Sequence, residues 1–215
     1  MSKLILPNSS LENIKMVIFD KDGTLIDVHH YWCSMIEFRA EAFVLSIGNK
    51  KNKKLYNELV NAMGIDLNSK KMKPEGPVGI KPREFIMDVA LEVMNKYDKN
   101  YTKERVIKIF EEVDDYSQTQ LKNIVKALSG VENILVKLKE EKIKVSIATT
   151  DLTKRAVLAM QTLRLEEYFD EIAGADLVEK AKPNADLVLY LLKKYGLDKK
   201  EVVVIGDSMA DLGMA

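Results

Sequence analysis

Residues 17–25 read VIFDKDGTL, an apolar run that ends in two carboxylates separated by one residue. The apolar residues from Met16 to Phe19 predict a short strand buried on both faces, as in an open parallel sheet. Such strands present ligand-binding residues at their carboxyl ends, which is where Asp20 lies. If extended geometry continues, the side chains of Asp20 and Asp22 leave the same side of the backbone. We therefore expect both carboxylates to face one solvent-accessible site.

Two carboxylates this close require a positive partner, because like charges raise each other's pKa. Mg²⁺ is a hard ion that prefers oxygen ligands, and a bound Mg²⁺ attracts phosphate. One carboxylate can then attack phosphorus while the other handles the proton of the leaving group. The stretch therefore predicts metal-assisted chemistry on a phosphorylated small molecule.

This stretch has two simpler interpretations besides the Mg²⁺ site: a calcium-binding loop and an ordinary turn. A helix-loop-helix calcium site requires glycine at the sixth loop position and glutamate at the twelfth. Counted from Asp20, however, Gly23 occupies the fourth position and Tyr31 the twelfth, so the calcium loop is excluded. An ordinary Asp-Gly turn remains open on this stretch alone.

A second strand end occurs in residues 145–151, which read VSIATTD. We expect a helix after it with an apolar face formed by Leu152, Ala156, Met160 and Leu163. The hydroxyl groups of Thr149 and Thr150, with nearby backbone N–H groups, are candidates to hold phosphate oxygens. The alternative is that Thr-Thr-Asp serves as an ordinary helix N-cap.

A third signal is the Lys182-Pro183 pair, where proline suits the first turn of a helix running to about Tyr195, with Gly196 as its stop. A lysine directed toward the positive end of a helix requires an anion, either phosphate or the acidic cluster. The alternative is a solvated surface lysine.

The fourth signal lies in residues 202–211, which read VVVIGDSMAD. A β-branched strand ends in Gly-Asp, and a second aspartate follows one helical turn later. Asp207 is a candidate to complete the Mg²⁺ site, and Asp211 to orient a bound water or Lys182. Gly-Asp after a strand is also common turn chemistry.

Together the motifs DKDGT, IATT, KP and GDSMAD, within residues 16–211, resemble those of the haloacid dehalogenase superfamily of phosphohydrolases. The resemblance implies that Asp20 is the nucleophile, forming an aspartyl-phosphate, and that Asp22 acts as general acid and then as base. It implies that Thr149 and Lys182 bind the phosphoryl group.

The same resemblance implies a Mg²⁺ site formed by Asp20, the backbone carbonyl of Asp22, and Asp207, with Asp211 supporting it from behind. An aspartate at position 22 separates the chain from the dehalogenase and phosphonatase branches, so phosphate esters are the expected substrates. The sequence is most similar to the phosphoglycolate phosphatase branch. A sugar phosphomutase and a catalytically silent phosphate-binding protein are the alternatives.

The expected fold is a doubly wound, Rossmann-like α/β core, from residues 1–28 and 129–215, with a helical insert at residues 29–128. The insert is assigned because that segment shows only helical periodicity. In the resembling family an insert at this point is a cap domain that closes over the active site and selects the substrate. Family members usually continue past the last motif, so we expect the core to continue beyond Ala215.

Composition narrows the function classes. The chain has 33 basic and 33 acidic residues, so its zero net charge gives no support to nucleic-acid or membrane-surface binding. A single cysteine, Cys33, excludes an internal disulfide. With neither a leader nor a membrane-spanning run evident, we expect a cytoplasmic enzyme acting on a small phosphorylated metabolite. The oligomeric state is left open.

Overall fold

The computed structural model describes residues 3–6, 9–48 and 52–215. These residues form two compact units. One contains the described residues up to Asp27 together with Val125–Ala215, and the other contains those within Val28–Ile124. The first is an α/β unit and the second is mainly helical.

The strands are β1 (Lys3–Leu6), β2 (Ser9–Glu12), β3 (Met16–Phe19), β4 (Ile65–Asp66), β5 (Lys71–Met72), β6 (Lys144–Ala148), β7 (Glu171–Ala173) and β8 (Val202–Ile205). β1 and β2 pair antiparallel. A separate four-stranded sheet has the order β7-β6-β3-β8, and all of its pairings are parallel. Phe19 is level with Ile147 and with Ile205, so β3, β6 and β8 end at the same edge. This parallel sheet flanked by helices confirms the predicted α/β class.

The central strand β3 is buried throughout, as its apolar sequence predicts. Because side chains alternate along a strand, Met16 and Ile18 face one side of the sheet, and Val17 and Phe19 the other. The first pair packs in a buried cluster with residues of the neighbouring strands and of two helices near the end of the chain: Ala148, Ala173, Leu187, Leu191 and Met214. Val17 and Phe19 are also buried, so both faces of β3 are covered.

The helices of the α/β unit are α6 (Val131–Glu140), α7 (Thr153–Leu163), α8 (Asp186–Tyr195) and α9 (Met209–Met214). Two predicted details are wrong. Helix α8 begins at Asp186, because Pro183 lies in the turn before it, although Gly196 ends the helix in the left-handed conformation as expected. Leu152 precedes α7 and is exposed, so the buried positions of that helix are Ala156, Ala159 and Met160.

The helical unit contains α1 (Val28–Ser46), α2 (Lys53–Ala62), α3 (Arg83–Asn95), α4 (Lys103–Thr119) and α5 (Leu121–Ile124). Phe43 of α1 and Phe110 of α4 are fully buried, with ring centroids 6.2 Å apart. The segment is not purely helical as predicted, since β4 and β5 form a short antiparallel pair. Phe85 of α3 and Ile107 of α4 are exposed.

Residues 125–128 belong to the α/β unit because they bond to the loop that follows β3. The N–H of Asp27 donates to the carbonyl of Lys126 over 2.8 Å, and the N–H of Leu128 donates to the carbonyl of Leu25 over 3.0 Å. Within the described part of the chain, no helix is both long and apolar enough to cross a membrane.

Candidate active site

The side chain of Lys182 joins two carboxylates at the sheet edge where β3 and β8 end. Its Nζ lies 2.6 Å from an oxygen of Asp20 and 2.5 Å from an oxygen of Asp211. Asp20 is the first residue after β3, and its N–H donates to the carbonyl of Ile205 at the end of β8. The Lys182 side chain is only 2% exposed, so the interpretation as a solvated surface lysine is wrong.

Asp211 is fixed by the start of helix α9. Ser208 is the N-cap residue, and its hydroxyl and N–H both donate to Asp211 Oδ2, at 2.6 and 3.0 Å. The N–H of Asp211 donates back to the Ser208 hydroxyl, which completes a capping box. The remaining Asp211 oxygen is thereby directed to Lys182. The sequence suggested that Asp211 orients a bound water or Lys182, and that role stays a prediction.

The Asp207 carboxylate lies against the DKDGT loop at Gly23 and Thr24. The Thr24 hydroxyl lies 3.4 Å from Asp207 Oδ1. Gly23 has a φ of +95°, and a Cβ added there would lie 2.2 Å from Asp207 Oδ2. Only glycine satisfies both conditions, because other residues are strained at this φ and would clash with the carboxylate.

Asp20, Asp207 and Asp211 each present one carboxylate oxygen to a common point, with all three oxygens within 4.8 Å of one another. Asp20 and Asp211 are buried and Asp207 is exposed, so the cluster opens to solvent on one side. An all-oxygen set of this kind suits Mg²⁺. The sequence assigned Asp22 to the metal through its backbone carbonyl and placed Asp211 behind the ligands, and that assignment stays a prediction.

The pKa values of the two buried carboxylates, Asp20 and Asp211, shift in opposite directions. Burial raises the pKa of Asp20 to about 6, although the ammonium of Lys182 acts to lower it. Burial also acts to raise the pKa of Asp211, but hydrogen bonds from Lys182 and Ser208 outweigh it, and the net shift is downward. Asp20 therefore lacks the full set of donors that its ionised form would need.

Lys21 forms a second buried link, which the sequence reasoning missed. Its Nζ lies 2.8 and 2.7 Å from the two carboxylate oxygens of Asp22 and 3.4 Å from Asp151 Oδ2. Burial lowers the pKa of Lys21, but Asp22 and Asp151 raise it more. The signal available in the sequence was a lysine between two aspartates, two residues after the end of a fully buried strand.

Thr149 and Thr150 follow β6 at the same sheet edge. Thr149 is buried, and its hydroxyl accepts the N–H of Asp151 over 3.1 Å, while Thr150 is exposed. The alternative that Thr-Thr-Asp caps α7 is wrong. The α7 cap comes from Asp176, whose Oδ1 accepts both the N–H and the hydroxyl of Thr153, at 2.7 and 2.8 Å.

The sequence of residues 17–215 matches the family model described as haloacid dehalogenase-like hydrolase. The match includes every residue of the site described above. The chain belongs to the haloacid dehalogenase-like hydrolase family.

Curated relatives of this chain carry phosphatase names. A phosphorylated carbohydrates phosphatase of Thermotoga maritima is 27% identical over 94% of this chain and 80% of its own length. The pyrophosphatase PpaX of Halalkalibacterium halodurans is 27% identical over 53% of each protein. A phosphoglycolate phosphatase of Mannheimia succiniciproducens is 25% identical over 53% of this chain and 51% of that protein. The predicted class, a phosphatase of this family in the phosphoglycolate phosphatase-like branch, is confirmed.

A solved structure supports the fold. A HAD-superfamily hydrolase of Geobacter sulfurreducens superposes with a TM-score of 0.65 at 16% identity, covering 94% of this chain and 82% of that one. At this identity the likeness concerns the fold alone.

Proposed function

We propose that this phosphatase is a Mg²⁺-dependent phosphomonoesterase that transfers the phosphoryl group of a small metabolite to Asp20 and then to water. The observation that carries the proposal is the charge at the sheet edge. Three carboxylates and one ammonium meet there, so the fully ionised group has a net charge of −3 + 1 = −2. A divalent cation would balance that charge and would favour the ionised form of Asp20.

We propose that the side chains of Asp20 and Asp207 would hold the ion together with the backbone carbonyl of Asp22, with Asp211 supporting them from behind. The chemistry of the ion there would be to neutralise charge on the phosphate. Lys182 contributes a further positive charge beside Asp20. Phosphoryl transfer asks mainly for alignment and charge neutralisation, and this arrangement supplies both.

In the first step, an oxygen of Asp20 attacks phosphorus and the bond from phosphorus to the leaving oxygen breaks, while Asp22 gives that oxygen a proton. In the second step, a water attacks the aspartyl-phosphate and gives a proton to Asp22. The bond between phosphorus and Asp20 then breaks, and inorganic phosphate is released. Thr149, Lys182 and the backbone N–H groups of the adjoining loops are proposed to hold the phosphoryl oxygens.

The names of the relatives guide the choice of substrates. Pyrophosphate, phosphoglycolate and phosphorylated sugars are the groups to test, and we propose that the helical unit, as a cap domain, selects among them. A phosphomutase or a catalytically silent binding protein is not favoured, because the relatives reported above are named phosphatases or pyrophosphatases. We also propose a cytoplasmic location, which suits a sequence whose single cysteine allows no internal disulfide.

Phosphate release from these esters and from 4-nitrophenyl phosphate, with Mg²⁺ or with a chelator, tests the proposal. Turnover should require Mg²⁺ and should disappear in Asp20→Asn, because the amide cannot attack phosphorus. Asp115→Asn, at an exposed position of α4, is the matched control and should retain activity. An acid-quenched reaction should yield a phosphorylated peptide that contains Asp20. Full activity of Asp20→Asn would refute the proposed nucleophile.

A further inference from the structure

The helical unit contains a charged cluster that the proposed mechanism does not use. The carboxylate of Asp114, on α4, lies between the guanidinium groups of Arg39, on α1, and Arg83, on α3, with one oxygen on each arginine. The distance from Asp114 Oδ1 to Arg39 Nη2 is 3.1 Å. Because arginine stays charged in proteins, the three side chains carry a net charge of +2 − 1 = +1.

Arg39 is buried without enough acceptors for its guanidinium group. Its side chain is 4% exposed, and Cζ lies 4.2 Å from the centroid of the Phe110 ring. The Nε–H of Arg39 has no hydrogen-bond acceptor among the described residues. Burial lowers the pKa of Arg39, and the shared carboxylate of Asp114 only partly offsets that effect. Since a buried donor without an acceptor is costly, the cluster lacks one negatively charged group.

Arg83 opens the cluster to solvent, because its side chain is 39% exposed. One Nη nitrogen of Arg83 donates to Asp114 Oδ2, and the part of the chain that the structure describes supplies no second acceptor to this guanidinium. A guanidinium has five N–H donors, arranged so that two of them match the two oxygens of a carboxylate. An anion in solution can therefore reach Arg83 and bind it through two hydrogen bonds.

We propose that the helical unit binds the carboxylate group of a small organic acid at Arg83. The ligand replaces Asp114 Oδ2 on Arg83, and the released oxygen then accepts the Nε–H of Arg39. This exchange is possible because Nε and Nη2 lie on the same edge of a guanidinium, and Asp114 Oδ1 already binds Nη2. Asp114 thus stays paired, the buried Nε–H gains an acceptor, and the net charge becomes zero. The inference goes beyond the chemistry proposed at Asp20 and does not depend on it.

Binding of malonate, a small dicarboxylate, tests the proposal, with uncharged malonamide as the control ligand. Titration calorimetry uses protein freed of divalent cations and a constant ionic strength. Without Mg²⁺, the carboxylates of the α/β unit form a negatively charged group that repels anions. Wild type should bind malonate and not malonamide, and hydrogen exchange should slow in α1, α3 and α4. The Nε–H resonance of Arg39, identified by its loss in Arg39→Lys, should shift when malonate is added.

Variants of Arg83 separate this site from general attraction of anions. Arg83→Met should weaken malonate binding at least tenfold, because the exposed guanidinium is lost. Arg83→Lys should fall between Arg83→Met and wild type, since an ammonium keeps the charge but cannot bind both carboxylate oxygens in the same way. Arg105→Met is the matched control. Arg105 also pairs with an aspartate, Asp98, and lies over an aromatic ring, that of Tyr101. This variant should bind malonate as wild type does.

Enzyme kinetics identify the source of the carboxylate. If Arg83→Met lowers kcat/KM for phosphoglycolate but not for 4-nitrophenyl phosphate, the ligand is the acid group of the substrate itself. If Arg83→Met loses malonate binding while kcat/KM for both esters is unchanged, the ligand is a free organic acid. Both results support the site at Arg83.

Malonate binding that is absent in wild type, or that Arg83→Met retains, would overturn the inference and leave the phosphatase proposal intact. A protein that hydrolyses neither ester would overturn the proposed function, while the malonate titration would still decide the inference. Circular dichroism checks that each variant is folded. If Arg83→Met does not fold, hydrogen exchange of wild type decides, because slowing confined to the α/β unit would contradict a site at Arg83.

Discussion

Asp20 and Asp211 bind the same ammonium, yet their pKa values shift in opposite directions. Asp211 also receives two hydrogen bonds from Ser208, so its negative charge is well stabilised. Asp20 is buried with fewer hydrogen-bond donors, so the upward effect of burial on its pKa exceeds the downward effect of Lys182. A carboxylate whose charge is incompletely satisfied is a better nucleophile than one engaged by several donors, provided that a cation favours its ionised form. The difference agrees with the proposed roles of the two residues.

Gly23 allows a prediction at a single position. Gly23→Ala should reduce phosphatase activity at least tenfold, because the new methyl group would displace the Asp207 carboxylate from the cation cluster. The positive φ should also destabilise the fold by about 1–3 kcal/mol. Activity assays over a range of Mg²⁺ concentrations, together with urea unfolding, measure the two effects.

Gly130 provides the control for this substitution. It has a φ of +87°, but a Cβ added there would meet nothing within 4 Å. Gly130→Ala should therefore carry a similar backbone strain and keep its activity. Equal losses of activity in the two variants would mean that backbone strain, and not displacement of Asp207, explains the effect.

At the scale of elements, the beginning of α7 depends on a residue distant in sequence. Asp176 accepts the N–H and the hydroxyl of Thr153, and these hydrogen bonds lower the pKa of Asp176. Thr153 in turn accepts the N–H of Gly174 through its hydroxyl. This network joins the loop after β7 to the helix that follows the proposed phosphate-binding loop.

Asp176→Ala should lower stability at neutral pH, because the N-terminus of α7 loses its acceptor. Because the folded pKa of Asp176 lies below the unfolded value, this contribution is fully present above the unfolded pKa. It is lost as pH falls through the folded pKa. Urea unfolding at a series of pH values from 7 downward measures the free energy of unfolding of Asp176→Ala and of wild type. The difference between the two should stay constant and should shrink only below about pH 4. Asp176→Asn, which keeps an acceptor oxygen, should be milder, and a difference already absent at pH 6 would contradict this account.

Some of the strands and helix caps could be predicted from the sequence, and others could not. The strands β3 and β8 occur where their apolar runs place them, because a strand in a parallel sheet is identified by its own composition. The short strand β7 was not predicted individually, since its three residues begin with glutamate and carry little pattern. The cap from Asp176 and the contacts of Lys21 depend on residues far apart in the chain. Local spacing gives no information about such partners.

For the whole molecule, the proposed site draws its side chains from both ends of the described sequence. Asp20 lies near the beginning of the chain and Asp207 and Asp211 near the end, while residues 28–124 form a separate compact unit. A ligand that bridges these carboxylates would tie distant segments together in the folded state only. Its binding should therefore appear as global stabilisation of the α/β unit.

Mg²⁺ should raise the free energy of unfolding by about 2.7 kcal/mol at a hundredfold excess over its Kd, because it binds the folded state preferentially. Hydrogen exchange should slow in β3, β8 and α9 of the α/β unit, which carry the proposed ligands. Asp207→Asn should lose most of this stabilisation, since the variant removes one carboxylate while leaving the buried pair around Lys182. Asp115→Asn should respond to Mg²⁺ as wild type does. If Asp207→Asn were stabilised as strongly as wild type, the cation would have to bind elsewhere, because the other two carboxylates already share the charge of Lys182.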